Sequence, residues 1–186
     1  MKMDRRKLKV LIKMAEDKYP LQFRIGNMIY KKAFFIYETF YFFYKRFSDN
    51  SKIKELKKII KPGMTVLDIG ANIGFYSKLF SKLVGAEGRV YSFEPEEENF
   101  EYLKKNTKEC NNVVINKMAV SDKSGKMKLY ISDDLNVDHN VYDNGEGRKT
   151  CEIDAVSLDD YFIDKDIDIN FIKIDVQGFD YYAILG

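Results

Sequence analysis

Apolar and polar positions change rhythm several times along the chain, and each change predicts an element. Residues 1–18 place Leu8, Leu11, Ile12 and Ala15 at helical spacing, and Pro20 ends that stretch. Residues 28–47, MIYKKAFFIYETFYFFYKRF, predict a helix whose polar positions Lys31, Lys32, Glu38, Thr39, Lys45 and Arg46 gather in a stripe about 140° wide. Phe35 and Phe42 fall inside that stripe, and the other faces are aromatic or aliphatic. This is more apolar surface than one side of a small domain buries. A membrane surface, a dimer interface, packing on the core, or an aromatic cap over a cleft are the candidate covers, and the internal charges argue against a bilayer span.

Asp49-Asn50-Ser51 predicts a helix start before KIKELKKII, closed by Lys61-Pro62-Gly63. From there short apolar runs alternate with amphipathic ones. Strands are predicted at 65–69, 89–93 and 112–116, and helices at 75–84 and 96–109. Strands and helices alternating at these lengths indicate α/β architecture, a parallel sheet with helices on both faces. The rhythm then breaks into a strand at 126–131, a polar loop at 132–148, an extended piece at 149–158 and an apolar strand at 170–174. The division expected is a basic, aromatic-rich helical extension at 1–55 and a catalytic or binding domain at 56–186.

Charge sharpens that division. Residues 1–62 hold 17 Lys+Arg against 6 Asp+Glu, and residues 63–186 hold 14 against 23. A basic front suits an anionic surface or nucleic acid, or an intramolecular match to the acidic body. No Gly-rich basic tail or nucleic-acid motif accompanies it, which makes nucleic acid the weaker partner. Cys110 and Cys151 form neither a disulfide framework nor a zinc spacing, and no secretory signal is evident, so a cytoplasmic location, peripheral to the membrane at most, is expected. One histidine, His139 in the polar loop, excludes a multi-histidine metal site within these residues. Asp133, Asp134 and Asp138 in the same loop lack EF-hand spacing, so no metal is expected.

The candidate chemistry lies where the first strands end. Gly70 and Gly74 stand in Asp68-Ile69-Gly70-Ala71-Asn72-Ile73-Gly74, at the turn from strand into helix. Their G-x-x-x-G spacing departs from the G-x-G-x-x-G that cradles a pyrophosphate, which points to a nucleoside ligand lacking one and argues against a nicotinamide-dependent oxidoreductase. Glu94 ends the second strand, where a carboxylate can accept both hydroxyls of a ribose. Asp68 is placed to meet the positively charged or amino-acid part of such a ligand. Asp175 leaves the strand at 170–174 on the same rim and is the first candidate for a base. Lys173 is the runner-up, for holding an anionic or hydroxylated ligand, or else turns to solvent, and Asp180 is a candidate helix cap or catalytic group.

The segments VLDIGANIGFYS, VYSFEPEEENFEYLKKN, NKMAVSD, AVSLDDYF and INFIKIDVQGFDYYAILG resemble, in order and spacing, the FkbM family of S-adenosylmethionine-dependent methyltransferases over roughly residues 56–186. The resemblance implies a class I methyltransferase fold, Rossmann-like and usually seven-stranded, with S-adenosyl-L-methionine as cofactor. It implies O-methylation of a sugar, glycan or small hydroxylated metabolite. Asp68, Gly70, Asn72 and Gly74 would belong to the donor loop, Glu94 would hold the ribose, and Ala119, Ser121 and Asp122 would line the adenine side. Two positions depart from the family's pattern: Gln177 stands where a Glu is common, and Asp180 where a second Glu is. Class I folds also continue past the point where this chain stops, so a domain truncated at its C-terminus is expected, its strand edge covered by the N-terminal region or by another copy in a homo-oligomer. A non-catalytic or membrane-surface binding module that keeps the same fold is the competing expectation.

Overall fold

The computed structural model describes residues 34–131, 149–176 and 179–186. The expected helix at 1–18, the start of the aromatic helix, the 132–148 loop with His139, and Gln177 lie outside the described residues. Helices α1 (Phe34–Ser48) and α2 (Asn50–Ile59) come first, followed by β1 (Thr65–Ile69), α3 (Phe75–Val84), β2 (Arg89–Phe93), α4 (Glu97–Thr107) and β3 (Val113–Asn116). Next are β4 (Ala119–Val120), β5 (Gly125–Ile131), β6 (Lys149–Val156), α5 (Leu158–Phe162), β7 (Phe171–Ile174) and α6 (Asp180–Leu185).

Four strands form a parallel sheet in the order β3-β2-β1-β7. Apart from their first residues, β1 and β2 are wholly buried, as near-continuous apolar runs in a parallel sheet must be. Alternate side chains serve opposite faces. Val66 and Val90 pack with Phe80 and Val84 of α3 and with Ile60 beyond α2. Leu67, Ile69, Tyr91 and Phe93 pack with Ala183 of α6 and with Tyr161 and Phe162 of α5. Helices on both faces are therefore confirmed, and β7 is the edge expected for 170–174.

Among the described residues four strands share this sheet, and β4, β6 and β5 form a second one in which β5 and β6 are antiparallel. The seven-stranded sheet expected from the resemblance is thus divided among the described residues. The reason lies in the pattern of β5: Lys126 and Lys128 are exposed while Met127 and Leu129 turn inward. A strand with one wet face suits an antiparallel pair, not the interior of a parallel sheet. The small core of this second sheet is Ala119, Leu129 and Ile153.

Helix boundaries shift for local reasons. Glu96 caps α4, its side chain accepting from the Asn99 N–H, instead of opening the helix. Ser157 caps α5 in the same way through the Asp160 N–H, so the expected extended piece 149–158 ends early and a helical turn follows. Asp180 does not cap α6: it is the first helical residue, Phe179 takes the cap position, and no side chain makes the capping bond. Helix α2 crosses position 55, with Ile53 buried.

Candidate functional site

The four-stranded sheet brings the C-terminal ends of β1, β2 and β7 to one rim, the side on which open α/β sheets bind ligands. At the end of β1 the chain turns sharply. The Gly70 and Ala71 N–H groups both donate to the Phe93 carbonyl at 3.0 and 2.9 Å, which ties the loop to the end of β2. Asn72 holds a left-handed backbone with φ +50, its side-chain oxygen accepting from the Ile73 N–H at 2.7 Å. Asn106 of α4 donates to the Ile73 carbonyl at 2.8 Å, and Gly74, φ +90, is the cap of α3.

Glu94 sits one residue past β2 and is 6% exposed. Its Oε2 accepts from the Asn72 N–H at 2.8 Å and its Oε1 from the Glu96 N–H at 3.1 Å. Burial pushes its carboxyl up to about 7, against the opposing pull of those two N–H groups. A carboxylate offers about four lone-pair sites, so each oxygen keeps capacity for a further donor. That is the acceptor pattern a vicinal diol of a ribose needs.

Asp68 is fully buried in β1. Its Oδ2 accepts from the Ser77 hydroxyl at 2.7 Å, and Ser77 Oγ in turn accepts from the Ser92 hydroxyl at 2.9 Å. Its Oδ1 lies 3.0 Å from Lys173 Nζ as an ion pair, without the alignment of a hydrogen bond, and is left as a buried oxygen with no hydrogen-bond donor. Lys173 Nζ donates instead to the Gly70 carbonyl at 2.8 Å and more weakly to Ile69 at 3.4 Å, and stands 5.5 Å from the centre of the Tyr76 ring. The expectation that Lys173 holds an acceptor or reaches solvent is therefore corrected. Its amine faces inward and staples β7 to the Gly70–Gly74 loop, because the end of β1 offers the Gly70 carbonyl and a buried carboxylate that needs a counter-charge.

Asp175 follows β7 directly, exposed, with its N–H donating to the Ile69 carbonyl at 3.1 Å. Its own carbonyl oxygen lies so near Gly70 that a Cβ there would stand 2.1 Å from it. Gly74 is constrained similarly by Leu103 of α4, 2.9 Å from a virtual Cβ. Ala119, Ser121 and Asp122 follow β3, whose last residue Asn116 pairs with Phe93 beside Glu94. Ala119 turns its side chain into the second sheet's core, Ser121 is buried with its hydroxyl on Asp122 at 3.1 Å, and Asp122 is half-buried.

Asp68, Gly70, Asn72, Gly74, Glu94, Lys173 and Asp175 thus converge. Sequence reasoning missed Ser77, Ser92 and Asn106, all buried and polar. Ser92 was discoverable as the one polar residue in the otherwise apolar VYSF, whereas Asn106 resembles any polar residue of an exposed helix face. Among the described residues no His/Cys/Asp/Glu group could hold a metal ion. The unspent acceptor capacity of Glu94 fits an adenosyl ligand that bears hydroxyls, whereas Asp68, fully buried with Ser77 on one oxygen and Lys173 beside the other, is already matched within the protein and is not placed to meet a ligand's positive charge as expected.

The model of the family described as methyltransferase FkbM domain matches residues 68–186. The ribosomal RNA large subunit methyltransferase E of Acinetobacter baumannii is 54% identical over 39 residues, which cover 21% of this chain and 18% of that protein. The crystal structure of a methyltransferase FkbM from Methylobacillus flagellatus KT is similar over 66% of this chain and 28% of that one, at 18% identity and a TM-score of 0.46. A SAM-dependent methyltransferase from Aquifex aeolicus is similar over 38% of each chain, at 38% identity and a TM-score of 0.35. Because the family model spans more than half of its length, the chain belongs to the FkbM family of methyltransferases, a membership that implies S-adenosylmethionine as cofactor.

Proposed function

We propose that this chain binds S-adenosylmethionine at the β1–β2 rim and directs methylation of a hydroxyl group on a sugar, glycan or small metabolite. The observation that carries the reading is Glu94: a buried carboxylate at the end of β2, with one backbone N–H on each oxygen and room for one more donor on each. In this reading Glu94 accepts the two ribose hydroxyls, the Gly70–Gly74 loop lies along the nucleoside, and residues 119–122 border the base. S-adenosylmethionine, when bound, supplies a methyl group activated by a sulfonium. Asp175 is exposed on the same rim, so its carboxylate can orient an acceptor hydroxyl and take the proton that hydroxyl loses. Lys173 acts only at second hand, by holding the Gly70 carbonyl and neutralising Asp68.

The test is calorimetric titration of the 186-residue protein with S-adenosylmethionine and S-adenosylhomocysteine, beside a Glu94→Ala variant. Micromolar binding that weakens by more than about tenfold in the variant is expected, from the loss of paired hydrogen bonds to a charged acceptor. Equal affinity in the two proteins removes Glu94 from the site.

A further inference from the structure

Helix α1 rests on the domain through Glu38, Phe42 and Lys45, while Thr39 and Arg46 of its polar stripe stay exposed. Glu38, Phe42 and Lys45 share one side of the helix, and that side meets the body. Phe42 packs edge-to-face on Phe75 of α3 at 5.4 Å, Glu38 pairs with Lys105 of α4 at 3.6 Å, and Lys45 pairs with Asp49 at 3.4 Å. On the opposite side Phe40, Phe43, Tyr44 and Phe47 follow the i, i+3, i+4, i+7 spacing of one stripe, and they are 65%, 62%, 58% and 67% exposed. A helix adapted to water alone has the reverse arrangement. Four adjacent exposed aromatics, none of them interleaved with a cation, form a surface that favours an apolar medium.

We propose that this stripe docks the protein on an anionic lipid surface. The charge around it selects that occupant. Arg46 is exposed on α1, and Lys52, Lys54, Lys57 and Lys58 are exposed on the adjoining α2, Lys52 and Lys58 in ion pairs with Asp49 and Glu55; residues 34–62 carry 7 Lys+Arg against 3 Asp+Glu. Aromatics that enter the headgroup boundary beside basic residues that meet the phosphates are the chemistry of an interfacial helix. A second copy on the same face would bring two such basic blocks together, which like-charge repulsion opposes. Among the described residues no helix is long and apolar enough to cross a membrane, and the contact proposed is one at the surface. The proposal stands independently of methyl transfer.

The test is flotation of the protein with vesicles of mixed phosphatidylglycerol and phosphatidylcholine, and with phosphatidylcholine alone. The variant is the triple substitution Phe40→Ser, Phe43→Ser and Phe47→Ser, its folding checked by circular dichroism. Association with the anionic vesicles, weaker on phosphatidylcholine and reduced at least about tenfold by the triple variant, is the expected result. The chain has no tryptophan, so Phe43→Trp supplies a single reporter that decides the matter if the triple variant does not fold. Its emission shifts to the blue on anionic vesicles if the stripe inserts. Unchanged vesicle binding by a folded triple variant overturns the proposal. So does absence of vesicle binding by the parent protein, whether it is then found monomeric, dimeric through this face, or bound to RNA.

Discussion

Glu94 holds a carboxyl in a place that disfavours its charge, and both stability and ligand binding should respond to pH through it. Its folded value is raised from an ordinary 4.5 to about 7, first by desolvation. Between those values the native protein keeps a proton that the unfolded chain has lost. Stability from this group is therefore highest at the acid end, falls as pH rises from about 4.5 to about 7, and is level above that. In the proposed binding mode ligand binding runs the other way, because ribose hydroxyls would need the ionised acceptor. Affinity for S-adenosylmethionine should climb between about pH 6 and pH 7 and flatten above it, up to about tenfold per unit on the rising limb. Titration calorimetry across that range, in buffers of differing ionisation enthalpy, measures both the slope and the proton released. A slope equally present in Glu94→Gln would assign it to another group.

At the scale of elements, the turn from β1 into α3 reads differently in structure than in sequence. Gly70 and Gly74 first suggest backbone cleared for a ligand, and both do adopt positive φ, +73 and +90. Each glycine also answers to a neighbouring element: Gly70 to the Asp175 carbonyl after β7, and Gly74 to Leu103 of α4. Gly70→Ala should therefore destabilise the protein by about 2 kcal/mol, combining left-handed strain with a clash against rigid backbone. Urea unfolding measures this, and an alanine tolerated at no loss would mean that the β1–β7 contact is looser than the geometry indicates. Periodicity exposed the strands because apolar runs of four or five residues buried on both faces leave a plain signal. It did not expose the division into two sheets, since which strands pair is decided by partners distant in the chain.

For the whole molecule, one carboxylate joins the basic front to the body. Asp49, between α1 and α2, accepts from the Tyr76 hydroxyl at 2.6 Å and pairs with Lys45 at 3.4 Å. Burial works to raise its pKa, but the Tyr76 hydrogen bond and the Lys45 and Lys52 charges outweigh it and hold the group below its ordinary value. Burial, helped by the same contact, pushes the Tyr76 hydroxyl up. Asp49→Ala leaves that hydroxyl without its acceptor and should cost about 1–3 kcal/mol. The loss should fall on the attachment of the two helices. Hydrogen exchange is expected to accelerate across α1 and α2 while amides of β1 and β2 keep their protection, and uniform acceleration would show that the front and the core unfold as one unit.

What the amino-acid order determined by itself was local and chemical. It carried the alternation of strands and helices, the turn at Gly70–Gly74, the acid at the end of the second strand, and a family pattern spread over the second two-thirds of the chain. These follow from short-range rules: burial period, backbone freedom, and residue types at strand ends. Tertiary structure alone decided what each polar group spends its bonds on. Lys173 turned inward because three acceptors converge on it, Asp180 lost the cap position to Phe179, and Asp49 gave its carboxylate to Tyr76 instead of to the helix start it precedes. It also decided which side of α1 faces out. A helical pattern shows that aromatics share a face, but only the ion pairs with α4 and Asp49, and the packing on α3, determine that the side of Glu38, Phe42 and Lys45 is the one held against the domain.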